Sequence, residues 1–280
     1  MNSSGPSVVS WDATPPLAVS GRPQRLVPFV LGYEPIAEHT SVAGGRRFRY
    51  LLEPVTAVAV VFERGWVLVD GGFDPARVTD AESRRRYFDY RNYTPIVPGD
   101  DPLRDQVAAA GLVWEELAAA IITHAHFDHT GAARLLRADQ PLVMQRREWD
   151  HVSTLTDPHG AFVIPEDFAH PDLVLALVDG DTELAPGLRV IDTAGHTPGH
   201  QSVVVELAES TVVLAGDAAD LRHNIDHAVA CGSTVGEAGP ALAQRAIDRL
   251  QALDRAAGTT VWPAHDPLWP TWHEVIDALE

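Results

Sequence analysis

The sequence of 280 residues contains no lysine, so all 21 of its basic side chains are arginines. This absence excludes a lysine Schiff base and a phosphate-binding loop that depends on lysine. Acidic residues outnumber basic ones by 39 to 21, which gives a formal net charge of −18 at pH 7. Because nucleic-acid binding depends on many cationic contacts with phosphates, the charge predicts no nucleic-acid partner.

Cysteine and long hydrophobic runs are also scarce. Cys231 is the only cysteine, which excludes an internal disulfide and a zinc site built from several thiolates. The longest apolar runs, such as 57–62 and 173–178, are too short to cross a bilayer, so no membrane segment is predicted. The first residues lack the basic and apolar regions of a secretory signal, and we expect a cytoplasmic location.

Short strands make up most of the regular structure that the sequence predicts. Residues 1–25, with their Ser, Pro and Gly, predict a flexible N-terminal extension, and residues 26–280 a single domain. Strands are predicted at the apolar runs 57–62, 66–69, 188–191, 202–206, 211–214 and 259–262. Helices are predicted from composition at 114–120, 130–138 and 240–257. Strand clusters in both halves, each followed by helices, predict an α/β fold of two sheets packed face to face with helices outside.

The strongest motif is the segment THAHFDH at 123–129, which contains four potential metal ligands. Side chains alternate in direction along a strand end, so His124 and His126 are predicted to point to the same side. Asp128 and His129 then turn into the next segment and can face a second point. Because histidine nitrogens and carboxylate oxygens bind divalent metals, the cluster predicts a metal site.

Three further potential ligands follow predicted strands elsewhere in the chain, namely His196 in GHTPGH, Asp217 in GD and His265 in PAHD. Loops at strand ends bring side chains from distant parts of a sequence together. Five histidines and two aspartates exceed the three or four protein ligands of one tetrahedral zinc ion. The set therefore predicts two metal ions bridged by an aspartate and a hydroxide. Zinc is the preferred metal, and manganese, iron and cobalt are also compatible.

The order His-x-His-x-Asp-His, Gly-His-Thr-Pro-Gly-His, Gly-Asp and a late histidine resembles the metallo-β-lactamase superfamily. The resemblance implies a four-layer αββα sandwich of two mixed sheets. Five shorter segments are similar to N-acyl-homoserine lactonases, namely EHTSV at 38–42, YLLE at 50–53, VDGG at 69–72, QRRE at 145–148 and TPGHQS at 197–202. The resemblance covers about residues 27–270 and implies a quorum-quenching type of lactonase, a hydrolase that opens the lactone ring.

The resemblance also implies roles for individual residues. It assigns one metal ion to His124, His126 and His196, and the other to Asp128, His129 and His265. Asp217 is assigned to the bridge between the two ions. Asp128 and Asp217 are thereby catalytic candidates as well as ligands. Asp70 matches a position that orients the metal cluster in this superfamily, whereas His200 matches no ligand position. A homodimer is a further expectation from the resemblance.

One position departs from the lactonase pattern. Lactonases of this family carry a tyrosine three positions after the bridging aspartate, and Asp220 stands there in this chain. An ionised carboxylate cannot donate a hydrogen bond, and it repels a developing oxyanion. Either His223, Tyr33 or Tyr90 replaces the tyrosine as donor, or the substrate is different. Asp220 and His223 are accordingly further catalytic candidates.

The leading hypothesis is a metal-dependent hydrolase of a neutral lactone, with an apolar acyl pocket formed by 87–93 and 151–172. Aromatic residues in these segments can equally pack the core. The main alternative is a hydrolase of another carboxylic ester or lactone, because Asp220 stands where selectivity for the lactone is expressed. A metal-binding protein that lost catalysis is an alternative of a different class, which the complete ligand set disfavours.

Other activities of the superfamily agree less well with the sequence. A thioesterase like glyoxalase II is expected to have a C-terminal helical domain with basic residues, but few residues follow His265 and lysine is absent. A nuclease needs a cationic path for its substrate, which the net charge disfavours. A β-lactamase is usually exported, and no signal is seen here.

Overall fold

A computed structural model of the protein describes residues 5–88, 95–272 and 274. Within this part of the chain the strands are β1 Ser7–Ser10, β2 Arg25–Ala37, β3 Tyr50–Val61, β4 Trp66–Val69, β5 Leu117–Ile121, β6 Leu142–Gln145, β7 Val174–Val178, β8 Thr182–Ala185, β9 Leu188–Asp192, β10 Gln201–Glu206, β11 Thr211–Leu214 and β12 Thr259–Trp262. The α-helices are α1 Glu38–Ser41, α2 Pro75–Thr79, α3 Ala81–Tyr87, α4 Pro102–Ala109, α5 Arg146–Ser153, α6 Arg222–His227 and α7 Gly239–Asp254. Short 3-10 helices occur at Trp11–Ala13, Trp114–Glu116, Gly131–Leu135, Pro165–Asp167 and Gly216–Ala218.

The described strands form two mixed sheets. The first has seven strands in the order β1-β7-β6-β5-β4-β3-β2. In this order, neighbouring strands run parallel from β1 through β7, β6 and β5 to β4, whereas β3 is antiparallel to both β4 and β2. The second sheet has five strands in the order β12-β11-β10-β9-β8, of which only β12 and β11 are parallel neighbours.

The two sheets enclose a hydrophobic core between them. Val58 and Val60 of β3 belong to the same buried cluster as Val190 of β9 and Val203 of β10. Ala59, which points to the opposite face of β3, belongs instead to a cluster on the outer side of the first sheet. This alternation follows from the two-residue period of a strand, because successive side chains point to opposite faces.

Helices cover the outer face of each sheet. Leu103 and Val107 of α4 pack in one cluster with Leu68 of β4. Ile247 of α7 packs in another with Val213 of β11. The order of layers is therefore helix, sheet, sheet, helix, which confirms the predicted α/β fold and its four-layer αββα arrangement. No described helix has both the length and the apolarity to span a bilayer.

Two predicted helices differ from the structure. In the segment 114–120, only Trp114–Glu116 is helical, as a 3-10 turn, and the sequence LAAAI at Leu117–Ile121 forms β5. Every residue of β5 is buried, and burial between two neighbouring parallel strands outweighs the helical preference of alanine. In the segment 130–138, helix is limited to the 3-10 turn Gly131–Leu135.

The N-terminal segment is attached to the first sheet. Ser7–Ser10 pairs in parallel with β7, and Leu17 is buried in the core between the sheets. A flexible extension was expected for 1–25, and within the described residues 5–25 these contacts hold part of that segment against the sheets. The physical reason is that β7 would otherwise leave a row of backbone groups unpaired at the sheet edge, and β1 satisfies them.

Candidate metal centre

The predicted ligands lie in loops that follow four strands. The loop 122–129 follows β5, the loop 193–200 follows β9, Gly216–Ala218 comes soon after β11, and His265 comes soon after β12. The rigid pair of sheets thus positions side chains from distant parts of the sequence next to one another.

Four of these side chains form the first ligand group, His124, His126, His196 and Asp217, in which one potential ligand atom of each lies within 4.8 Å of the others. Nδ1 of His126 lies 2.9 Å from Nε2 of His124 and 3.0 Å from Nε2 of His196. Burial, together with the neighbouring His196, lowers the pKa of His126 to about 3. His126 is therefore neutral near pH 7, and its lone pair is available to a metal.

The second ligand group consists of Asp128, His129 and His265, whose potential ligand atoms also lie within 4.8 Å of one another. Nε2 of His129 lies 3.1 Å from Oδ2 of Asp128. Burial alone lowers the pKa of His129, but the carboxylates of Asp128 and Asp217 raise it well above its ordinary value. The negative charge around His129 therefore favours a bound positive charge.

Asp217, a member of the first ligand group, also reaches the second group. Its Oδ1 is 3.0 Å from Nε2 of His265 and 3.2 Å from Nε2 of His129. Its Oδ2 is 3.3 Å from Nε2 of His196 and 3.7 Å from Nε2 of His124. One oxygen thus faces each group, which is the geometry that a carboxylate needs in order to bridge two metal ions.

Hydrogen bonds at the opposite ring nitrogen orient three of the histidines. Nδ1 of His265 lies 2.9 Å from the carbonyl of Pro54, and Nδ1 of His196 lies 3.0 Å from the carbonyl of Ser233. A carbonyl only accepts, so Nδ1 carries the proton and Nε2 presents its lone pair to the ligand group. The carboxylate of Asp70 orients His129 in the same way, because its Oδ2 lies 3.0 Å from Nδ1 of that ring.

The seven side chains fit a pair of divalent metal ions. Nε2 of His129 is buried and has no hydrogen-bond partner within the described residues, although it faces the carboxylates of both groups. Imidazole nitrogens and carboxylate oxygens in groups of three or four are the ligands that zinc and similar ions take in proteins. The structure brings all seven predicted side chains together in this way.

Glu148 supports the site, a role that was not predicted from the sequence. It is 1% exposed. Its Oε1 accepts the backbone N–H of Ala125 at 2.9 Å, and its Oε2 accepts that of Gly199 at 3.0 Å. One carboxylate on α5 therefore fastens the loop 122–129 to the loop 193–200. The similarity of QRRE at 145–148 to lactonases pointed to this segment, but it did not show what Glu148 contacts.

A cavity of about 290 Å³ opens beside the two ligand groups. Residues of both groups line it, as do Phe127, Phe162, Glu53 and Asp220. Burial raises the pKa of Asp220 well above its ordinary value, and the negative charges of Asp217 and Glu53 add to the effect. Burial likewise raises the pKa of Glu53 to about 7.

Neither of the two described candidates to replace the family tyrosine, His223 and Tyr33, lines this cavity. His223 lies on α6, where it stacks against His227 with 4.4 Å between ring centroids and lines a different surface cavity. Tyr33 pairs through its backbone with Ile96 and is not among the residues that line the cavity. Tyr90 lies outside the described residues.

The described residues of the two segments proposed for the acyl pocket have different positions. Phe162, from the segment 151–172, lines the cavity. Tyr87 and Phe88 are buried in a cluster with Phe73 and Ile164, so these two aromatic residues pack the interior. Residues 89–93 of the other segment lie outside the described residues.

Comparison with known proteins supports the assignment of the fold. Residues 51–270 match the family model of the Metallo-beta-lactamase superfamily. The chain belongs to this superfamily. An N-acyl homoserine lactonase from Bacillus sp is 29% identical over 231 residues, which cover 82% of this chain and 88% of that protein. The N-acyl homoserine lactonase AttM from Azorhizobium caulinodans is 28% identical over 228 residues, which cover 78% of this chain and 84% of AttM.

A solved structure gives the same result for the fold. It shows an N-acyl homoserine lactone hydrolase with the product N-hexanoyl-L-homoserine bound at the catalytic metal center. The TM-score is 0.75 at 24% identity, and the match covers 88% of this chain and 95% of that chain. The predicted resemblance to this superfamily and to its lactonases is therefore confirmed.

Proposed function

We propose that this protein is a hydrolase with two divalent metal ions that opens the ring of an N-acyl homoserine lactone or a related lactone. The observation that carries the proposal is the position of Asp217, whose two oxygens face two separate groups of potential metal ligands. Two bound ions supply Lewis acidity toward the ester carbonyl and activate water at neutral pH. Zinc is the metal that we expect.

The proposal assigns each ligand group to one ion. His124, His126 and His196 hold the first ion, Asp128, His129 and His265 hold the second, and Asp217 contacts both. Backbone carbonyls and Asp70 keep the ring nitrogens aimed at these positions. The chain therefore supplies a preformed site, which reduces the cost of organising the ligands when the ions bind.

The cavity provides space for the substrate next to the ions. Phe127 and Phe162 form an apolar part of its wall, which suits the acyl chain of the substrate. His126, Asp128 and His196 also line it, so a lactone bound against the phenyl rings lies directly beside both ligand groups. The identities of 29% and 28% to the two lactonases support the same substrate class.

A pH-stat assay of the zinc-loaded protein tests the proposal. N-acyl homoserine lactones of several chain lengths and a simple γ-lactone serve as substrates, because ring opening near neutral pH releases a proton. We expect proton release that depends on chain length. His126→Ala and Asp128→Ala should each lower kcat/KM by at least about 100-fold, since each removes a metal ligand. The control is Glu209→Ala, which changes an exposed residue.

Two results would contradict the proposal. A protein with two bound metals that opens none of these lactones would exclude this substrate class. Ring opening at an unchanged rate in both ligand variants would exclude the metal-dependent mechanism, provided that metal analysis shows the loss of bound zinc.

A further inference from the structure

Two histidines of α6 belong to neither ligand group. His223 and His227 are the second and the last residues of the helix Arg222–His227, and both are exposed. Residues four positions apart lie one turn apart on the same face of an α-helix. The two rings accordingly stack against each other, with 4.4 Å between their centroids and 48° between their planes. The helix therefore presents a pair of imidazoles together to solvent.

The separation of the two rings suits the binding of one ion by both. His124 and His126 in the first ligand group have the same 4.4 Å between their centroids, and a nitrogen of one lies 2.9 Å from a nitrogen of the other. In His223 and His227 the exposed rings can turn about χ2, whose energy wells are broad for histidine. One nitrogen of each ring can therefore reach the same ion.

The nitrogens of this pair are available to a ligand. Within the described residues, no ring nitrogen of His223 or His227 takes part in a hydrogen bond or an ion pair. By contrast, His170 and His200 each use Nδ1 in a hydrogen bond. Histidine is the commonest metal ligand in proteins, and this pair can bind an ion without losing a hydrogen bond to the described part of the chain.

The pair is separate from the two ligand groups. His223 lines a surface cavity that none of the seven potential metal ligands lines. The charged residues of that cavity balance one another, since two are acidic and two are basic, namely Glu38, Asp266, Arg46 and Arg49. Metal binding at this surface therefore depends on imidazole nitrogens, which favour transition metals over magnesium and calcium.

We propose that His223 and His227 chelate one divalent transition metal ion, in addition to the two ions of the proposed hydrolase centre. Two histidines at this spacing on one helix face are a zinc-binding arrangement, and copper and nickel also suit imidazole ligands. Water completes the coordination. Because the second imidazole is already close to an ion held by the first, the pair binds an ion more tightly than either ring alone. The proposal goes beyond the proposed function and does not depend on it.

The first test measures the affinity for Ni²⁺. Calorimetric titration of the zinc-loaded protein should show one ion bound at α6 in each chain. His223→Ala and His227→Ala should each weaken this binding by at least about tenfold, which corresponds to about 1.4 kcal/mol. The double variant should lose no more than either single variant, because a chelate needs both rings. Any exchange of metal at the two ligand groups occurs equally in the double variant and is subtracted.

A matched control removes an exposed histidine that lies elsewhere. His159→Ala should leave the affinity for Ni²⁺ at α6 unchanged. The second test counts the imidazoles directly, by pulsed electron paramagnetic resonance of the zinc-loaded protein with one equivalent of Cu²⁺. We expect couplings to two imidazole rings in the wild type, and loss of this two-imidazole signal in either single variant.

Three results would overturn the proposal. Equal affinity for Ni²⁺ in the wild type and the double variant would exclude a site on α6. Single variants that each retain a site of unchanged affinity would show that the two histidines bind independently. A two-imidazole copper signal that persists in the double variant would place the copper at other histidines. All of these measurements are made without substrate, so their outcome is independent of lactone opening.

Discussion

Oδ2 of Asp70 lies 3.0 Å from Nδ1 of His129, and Oδ1 of the same carboxylate accepts the backbone N–H of Thr123 at 2.8 Å. One aspartate at the end of β4 therefore orients a histidine of the second ligand group and also fastens the start of the loop that carries it. Asp70 has a φ of 58°, a left-handed conformation that aspartate tolerates better than most residues do.

Replacement of Asp70 should weaken the binding of one metal ion. In Asp70→Ala, His129 loses the acceptor that fixes its ring, and we expect a 10- to 100-fold loss of zinc affinity, a magnitude found for such supporting partners. Competition with a chromophoric chelator measures the affinity of each site separately. Asp139→Asn is the control, and equal loss at both sites, or no loss, would contradict the role assigned to Asp70.

Glu148 should contribute to both folding and metal binding. Glu148→Ala leaves the N–H groups of Ala125 and Gly199 without their acceptor, at a cost of about 1–3 kcal/mol for each buried group. We expect a lower free energy of unfolding in urea and a lower affinity for zinc. Glu148→Gln retains one carbonyl acceptor and should give an intermediate loss. An alanine variant as stable as the exposed-site control Glu209→Ala would contradict this account.

The seven potential metal ligands could be predicted because they stand at recognisable positions in the sequence. His124 to His129 are close together, and His196, Asp217 and His265 each follow a β-rich run. Glu148 could not be predicted in the same way, because its partners are backbone N–H groups in two separate loops, and backbone contacts leave no pattern of residue types. The motifs thus identify the proposed metal ligands better than the residues that support them.

The wrong predictions of secondary structure have a related cause. The alanine-rich Leu117–Ile121 has a local preference for helix, but it is a central strand whose residues are all buried. Its position between β4 and β6 depends on packing that no local window contains. Ser7–Ser10 became a strand for a similar reason, because its partner is Val174–Val178, far along the sequence.

Gly216 should be intolerant of any side chain. Its φ is +57°, and a Cβ at this position would lie 2.7 Å from Nε2 of His200 and 2.8 Å from Cβ of Thr123. Gly236 offers a matched control, because its φ is +76° but a Cβ there would meet no atom within 4 Å. Both alanine variants bear the left-handed strain of about 1–2 kcal/mol.

Only Gly216→Ala should lose more stability than this strain accounts for, because His200 and Thr123, which the new Cβ would meet, are both buried. Thr123 also immediately precedes His124, a proposed metal ligand. Urea unfolding of the two variants, with zinc content measured beside it, checks the expectation. We expect Gly216→Ala to be less stable than Gly236→Ala and to bind less zinc. Equal stability of the two variants would show that the loop moves aside at little cost.

Asp167 should make the protein less stable as the pH rises from 4 to 7. Its side chain is buried, and burial raises its pKa to about 7, although the hydroxyl of Thr130 donates to it at 2.7 Å. A carboxyl with a folded pKa above its unfolded value of 3.8 favours folding only while it is protonated. The stability it contributes is therefore complete below pH 3.8 and is lost as the pH rises through about 7.

Asp167→Asn removes this titration, so the difference in Tm between the variant and the wild type should increase in favour of the variant from pH 4 to pH 7.5. Comparing differences at each pH cancels the other groups that titrate in this range. Asp150→Asn, at an exposed position, should show a difference that does not change with pH. A Tm difference for Asp167→Asn that stays constant would mean that this carboxyl is ionised in the folded protein throughout, with the guanidinium of Arg77, 3.7 Å from Oδ1, as the compensating charge.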